Sequence, residues 1–79
     1  MKDMEQKIVE ILKKMHPDAD VAGSIALVDE GILDSLDIVT LVTELNAVFG
    51  VRIPSLEILP DNFNSAAAIA AMIERLDDV

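Results

Sequence analysis

Apolar side chains fall at helical spacing in three separate stretches of this chain, and the gaps between them carry proline, glycine and acids. In the first stretch, Met4, Ile8, Ile11, Leu12 and Met15 line up among lysines and glutamates. That pattern predicts an amphipathic helix over residues 3–15. Pro17 stops it. The methionines belong to the buried stripe, where their flexible chains fill gaps. The second stretch, residues 35–49, carries Leu36, Ile38, Val39, Leu41, Val42, Leu45, Val48 and Phe49. Its length and spacing favour helix over strand despite the β-branched residues. Leu41, Val42, Leu45 and Phe49 fit one buried side. Leu36, with Ile38 or Val39, is then left nearer the surface, either as a partner face or as scattered apolar exposure. Gly50 is placed to cap this helix in the left-handed conformation. The third stretch, residues 66–76, is alanine-rich and strongly helix-favouring. Ile69, Met72, Ile73 and Leu76 make its buried stripe, and Asn64 or Ser65 caps its start.

The gaps are as informative as the helices. Residues 17–34 form a long loop with Pro17, Gly23 and Gly31 and no sustained period. Ile25, Leu27, Val28, Ile32 and Leu33 are expected to pin it to the core. A loop of that length in a small domain is usually functional or poorly ordered. Val51-Arg52-Ile53-Pro54 reads as extended, because Pro54 biases Ile53 away from helix. Residues 55–59 are expected to make one short helical turn before Pro60. The fold class is therefore all-α: a small bundle of three main helices plus a short helical turn, with a long first loop, over a single domain of residues 1–79.

Composition narrows the function classes. A chain of 79 residues that is 52% apolar has enough hydrophobic surface to fold and too much for a disordered tail. It has no cysteine, hence no disulfide framework and no thiolate site. Its charged start lacks a signal-type apolar segment, and no apolar run approaches the roughly 18 residues of a membrane helix. A cytoplasmic monomer is the expectation. The net charge of −9 is uneven: residues 1–16 sum to +1 and the remainder to −10. Such a surface disfavours nucleic acid and anionic membrane and suits basic protein partners, or simply keeps the chain soluble.

The chain offers little for catalysis. His16 is the only histidine. It sits at a helix end, where a cation suits the dipole, and a surface capping role is expected of it. No nucleophile–base–orienter set can be assembled around it. The acids Asp18, Asp20 and Asp29 with Gly23 begin a calcium-loop pattern, but Ala22 and Ala26 stand where oxygens are needed, so no metal site is expected.

The loop ends in Gly31-Ile32-Leu33-Asp34-Ser35-Leu36-Asp37. Asp34 is a good N-cap for the second helix, and Ser35 falls in its first turn. There the backbone N–H groups lack helical partners, and the dipole favours a negative group such as a phosphate ester. On these residues alone, Asp34 and Ser35 could be no more than caps. The longer run Asp29-Glu30-Gly31-Ile32-Leu33-Asp34-Ser35-Leu36-Asp37 resembles the phosphopantetheine attachment site of the acyl carrier protein family. Phe49-Gly50-Val51-Arg52-Ile53-Pro54 is similar to the end of that family's second helix. Pro60-Asp61-Asn62-Phe63-Asn64-Ser65 with Ile69 is similar to the lead-in to its last one.

The resemblance implies a carrier and not an enzyme. A phosphopantetheinyl transferase would join 4'-phosphopantetheine from coenzyme A to the Ser35 hydroxyl, with Asp34 and Leu36 in the attachment motif. The terminal thiol would then hold cargo as a thioester for loading ligases or synthases and for acyltransferases. Asp37, Val39 and Glu44 are the expected partner surface. The main expectation for the cargo is an acyl intermediate of fatty-acid or specialised lipid or polyketide-type biosynthesis. The second helix is poorer in acids than that of fatty-acid carriers, with only Asp37 and Glu44. The segment from Arg52 to Ser65 is similar to D-alanyl carrier proteins, although Phe63 stands where their tryptophan is expected. A D-alanyl or other aminoacyl carrier is the alternative. A small acidic helical adaptor without a cofactor is the reading from another class.

Overall fold

The computed structural model describes residues 2–77. In chain order it has α1 (Lys2–Met15), α2 (Ser35–Phe49), a single 3-10 turn (Ser55–Glu57), α3 (Pro60–Phe63) and α4 (Ala66–Asp77). The described elements are all helical, as the apolar spacing predicts. α4 packs on α1 and α3, and α2 packs on α1.

The core is built from the three periodic stripes. Ile8, Ile11 and Leu12 of α1 meet Leu41 and Leu45 of α2 and Ile69, Met72 and Ile73 of α4. Met4, Met15, Val42, Phe49 and Leu76 pack half-buried around them. Ala66 and Ala70 are buried too, and their small side chains let α4 lie close to its neighbours. Clefts open on the α1–α2 seam, one of about 260 Å³ lined by Ile11, Lys14, Met15, Thr40 and Glu44.

The short helix α3 separates from the turn at 55–57, where one short turn over 55–59 was expected. Pro60 explains the second start: at the first helical position its missing N–H is no loss and its φ is already helical. α3 delivers Phe63, which is completely buried. Arg75 of α4 ties this region down, donating to Asn62 Oδ1 at 3.3 Å and pairing with Glu57 at 3.2 Å.

The loop from residue 17 to 34 is pinned by Val21, Leu27 and Leu33, all buried, with Val28 and Ile32 packed beside them. Ile25 was expected among these pins and is instead 84% exposed. The Ser24 hydroxyl accepts the Ala26 N–H and donates to Glu30, so the chain turns sharply there with Ile25 at the outer tip. Val21 fills the interior in its place. Two of the turns that shape this loop close on Ala26 and Val28 carbonyls, and Gly31 takes φ 80° to make the second of them.

Candidate functional site at the head of α2

Asp34 is extended, with φ −99° and ψ −176°, and α2 begins directly after it. Its Oδ1 accepts the Asp37 backbone N–H at 2.8 Å, while Asp37 Oδ2 accepts the Asp34 N–H at 3.3 Å. This is a capping box with aspartate in the place usually held by glutamate. Ser35 is therefore the first residue of a well-capped helix. It is exposed, and among the described residues no group takes its hydroxyl. The Ser24 and Ser65 hydroxyls are both engaged, Ser65 accepting the Ala68 N–H at 3.0 Å as the cap of α4. Ser55 only opens the 3-10 turn, which has no helix end of comparable length.

Asp37 has a second partner. His16, one residue beyond α1, places Nε2 2.9 Å from Asp37 Oδ2. Burial would push the Asp37 carboxyl up. The Asp34 backbone amide, the His16 contact and charge, and the Asp34 side chain outweigh it and hold the carboxyl below its ordinary value. The dipole-capping role expected of His16 is thus replaced by a cross-helix contact. The signal was in the sequence only as an aspartate three residues after the cap; nothing local links it to a histidine just past the end of α1.

The expected site residues divide by direction. Asp34, Ser35, Leu36 and Val39 are exposed, Leu36 at 76% and Val39 at 63%. Asp37 is half-buried and turned toward His16, and Glu44 is exposed at the α1–α2 cleft. Between them, Thr40 donates its hydroxyl to the Leu36 carbonyl and Thr43 donates its own to the Val39 carbonyl, both at 3.1 Å. Their polar atoms are turned onto the backbone. The exposed ridge after Ser35 is consequently uncharged and largely apolar.

The approach to Ser35 is held by a residue that sequence reasoning treated only as a cap. Asn64, between α3 and α4, accepts the Leu27 N–H on its carbonyl at 2.8 Å. Its side-chain Oδ1 accepts the Val28 and Asp29 N–H groups at 2.9 and 3.1 Å. Ser65 alone caps α4. Asp20, an acid of the calcium-like pattern, accepts the Gly23 N–H at 3.1 Å in a local turn. Among the described residues no three acids, histidines or cysteines converge as a metal site would require. No helix among them is long and apolar enough to cross a membrane.

Ser35 thus stands exposed in the first turn of a capped helix, its hydroxyl without a partner among the described residues. The family described as "Phosphopantetheine attachment site" matches residues 3–73, and the chain belongs to it. It is a carrier domain, not itself catalytic, and its cofactor is 4'-phosphopantetheine held covalently on a serine. The head of α2 fits that group: Ser35 has an exposed hydroxyl, at a capped helix end suited to a phosphodiester. The chain is 31% identical over 75 residues to D-alanyl carrier proteins of Streptococcus pyogenes, serotypes M5 (strain Manfredo) and M1, covering 92% of this chain and 94% of theirs. It also matches a chain in the crystal structure of Bradyrhizobium japonicum glycine:[carrier protein] ligase complexed with glycylated carrier protein. That match has a TM-score of 0.64 and 36% identity, over 89% of this chain and 93% of the other.

Proposed function

We propose that this chain is an aminoacyl carrier whose phosphopantetheine arm is attached to Ser35. The observation that carries the attachment is the exposed, unpartnered Ser35 hydroxyl at the capped start of α2. In the modification, Ser35 Oγ forms a bond to the phosphorus that bears the pantetheine. The bond from that phosphorus to the adenosine 3',5'-bisphosphate of coenzyme A breaks, and the hydroxyl proton passes to a base of the transferase. The attached thiol then carries the amino acid as a thioester.

The choice of cargo rests on the relatives. Those at matching length are named for D-alanine, and the similar solved carrier is glycylated. This favours the aminoacyl alternative over the fatty-acyl reading, and the low charge of the α2 ridge agrees with it. An ATP-dependent ligase is the loading partner. Leu36 and Val39 are the surface that the ligase and the transferase grip, with Asp37 and Glu44 at its edge.

The test is intact mass in two stages. Incubation with coenzyme A and a broad-specificity transferase adds one phosphopantetheine to the wild type and none to Ser35→Ala. The loaded protein is then offered glycine, D-alanine or a fatty acid, each with ATP and a matching ligase. Addition of an amino acid that hydroxylamine removes supports the reading. Loading by the fatty acid alone overturns the cargo assignment.

A further inference from the structure

The bond between His16 and Asp37 joins the two ends of the loop that delivers Ser35. It spans 21 positions, from the end of α1 to the first turn of α2. His16 is fixed at both backbone ends: its N–H donates to the Leu12 carbonyl at 2.9 Å and its carbonyl accepts from Ala19 at 3.2 Å. Only the ring is free to choose a direction. An ionised carboxylate can only accept, so His16 Nε2 carries the hydrogen in this bond.

The distances show what that bond controls. Asp37 has two calls on Oδ2: the Asp34 N–H at 3.3 Å and His16 at 2.9 Å. The first is long and correspondingly weak; the second is near the optimum for a charge-assisted bond. His16 therefore sets the Asp37 side chain, and Asp37 closes the capping box around Ser35 and Leu36. Both ring and carboxylate are partly shielded from solvent, at 30% and 26% exposure, so water competes less for the bond than at an open surface.

We infer that His16 is a positioning residue for the modification of Ser35: it holds Asp37 so that the first turn of α2 presents the Ser35 backbone in one fixed geometry to the transferase. This rests on Ser35 being the attachment residue. The bond making and breaking are those of the transfer from coenzyme A, and His16 takes no part in the proton balance. Its effect lies in the placement of the Ser35 backbone, from which the hydroxyl must come in line with the leaving oxygen for displacement at phosphorus.

His16→Gln and His16→Asn test this as a pair. Both are neutral amides. Glutamine carries its nitrogen to about where Nε2 stands, and asparagine stops short of Asp37. Expected for His16→Asn is a three- to tenfold fall in transferase kcat with KM within twofold, and a several-fold faster hydrogen exchange of the Asp37 amide. Expected for His16→Gln is recovery of both. A wild-type kcat and wild-type Asp37 exchange in His16→Asn would overturn the positioning role, as would a His16→Gln protein no better than His16→Asn. A failure of the attachment reading looks different: the wild type would take up no phosphopantetheine, or Ser35→Ala would take it up.

Discussion

Asn64 holds Asp29 from two sides across 35 positions, its Oδ1 accepting the Asp29 N–H and its Nδ2 donating to the Asp29 carboxylate at 3.2 Å. With the Val28 and Leu27 amides also bound to it, one asparagine fixes the middle of the long loop. Asn64→Ala leaves the partly shielded Val28 amide and the exposed Asp29 amide without their acceptor. It is expected to cost about 1–3 kcal/mol in a urea melt. Amide exchange at Val28 and Asp29 should accelerate by more than that of Leu41 and Leu45, which speeds up only as far as the global stability falls.

The inside and outside of α2 separate cleanly on mutation. Leu45 is fully buried and Ser35 is exposed. Leu45→Ala should cost about 2–5 kcal/mol, and Ser35→Ala at most about 1 kcal/mol. Asp34→Ala lies between, at about 0.5–2 kcal/mol, because it opens the cap. Denaturant melts of the variants check the order; a Ser35→Ala protein less stable than Leu45→Ala would contradict the packing.

Gly50 ends α2 at φ 65°, and a methyl group added there would meet nothing within 4 Å. The effect of Gly50→Ala is then purely conformational. It should destabilise by about 1 kcal/mol through the left-handed backbone alone. A thermal melt unchanged from the wild type would mean that the helix end can relax.

The Asp37 carboxyl titrates below its ordinary value, so it favours the fold once ionised. That contribution is present above the unfolded carboxylate range, about pH 3.9, and is lost as pH falls through the lower folded value. Asp37→Asn keeps the shape and removes the charge. It should be less stable than the wild type by up to about 1 kcal/mol near pH 7, with the gap closing as the pH falls below the ordinary carboxylate range. Urea melts across that range check it.

If the ridge after Ser35 is the grip for the ligase, its chemistry predicts weak dependence on salt. Leu36→Ala and Val39→Ala should each raise the dissociation rate about fivefold or more. Glu44→Lys should leave association nearly unchanged. Asp37→Lys is a poorer probe of charge, since it also removes the acceptor of the Asp34 and His16 bonds. Stopped-flow binding over a salt series reads all of these.

Much of this architecture is legible in the chain because each main helix carries its own stripe. Ile8, Leu12, Leu41, Leu45, Ile69 and Ile73 are assigned by spacing alone, and all are buried. The capped start at Asp34 and the left-handed Gly50 follow from local backbone chemistry. The loop is harder to read. Hydrophobicity places Ile25 inside, but a turn built by the Ser24 hydroxyl decides its direction. The partners of His16 and Asn64 lie on other elements, at separations where sequence carries no periodic trace. The threonines of α2 look polar by type, and only the structure shows their hydroxyls spent on the backbone.

Among the described residues every buried side chain is apolar. A guest amide or ammonium drawn into such an interior would shed its water and find no replacement. An aminoacyl thioester is therefore expected to travel outside the bundle, fully wetted. Hydrolysis then runs as a clock from the moment of loading. On the aminoacyl reading, the useful lifetime of the charged carrier is set by how soon the next enzyme arrives, since the apolar interior offers the cargo no shelter.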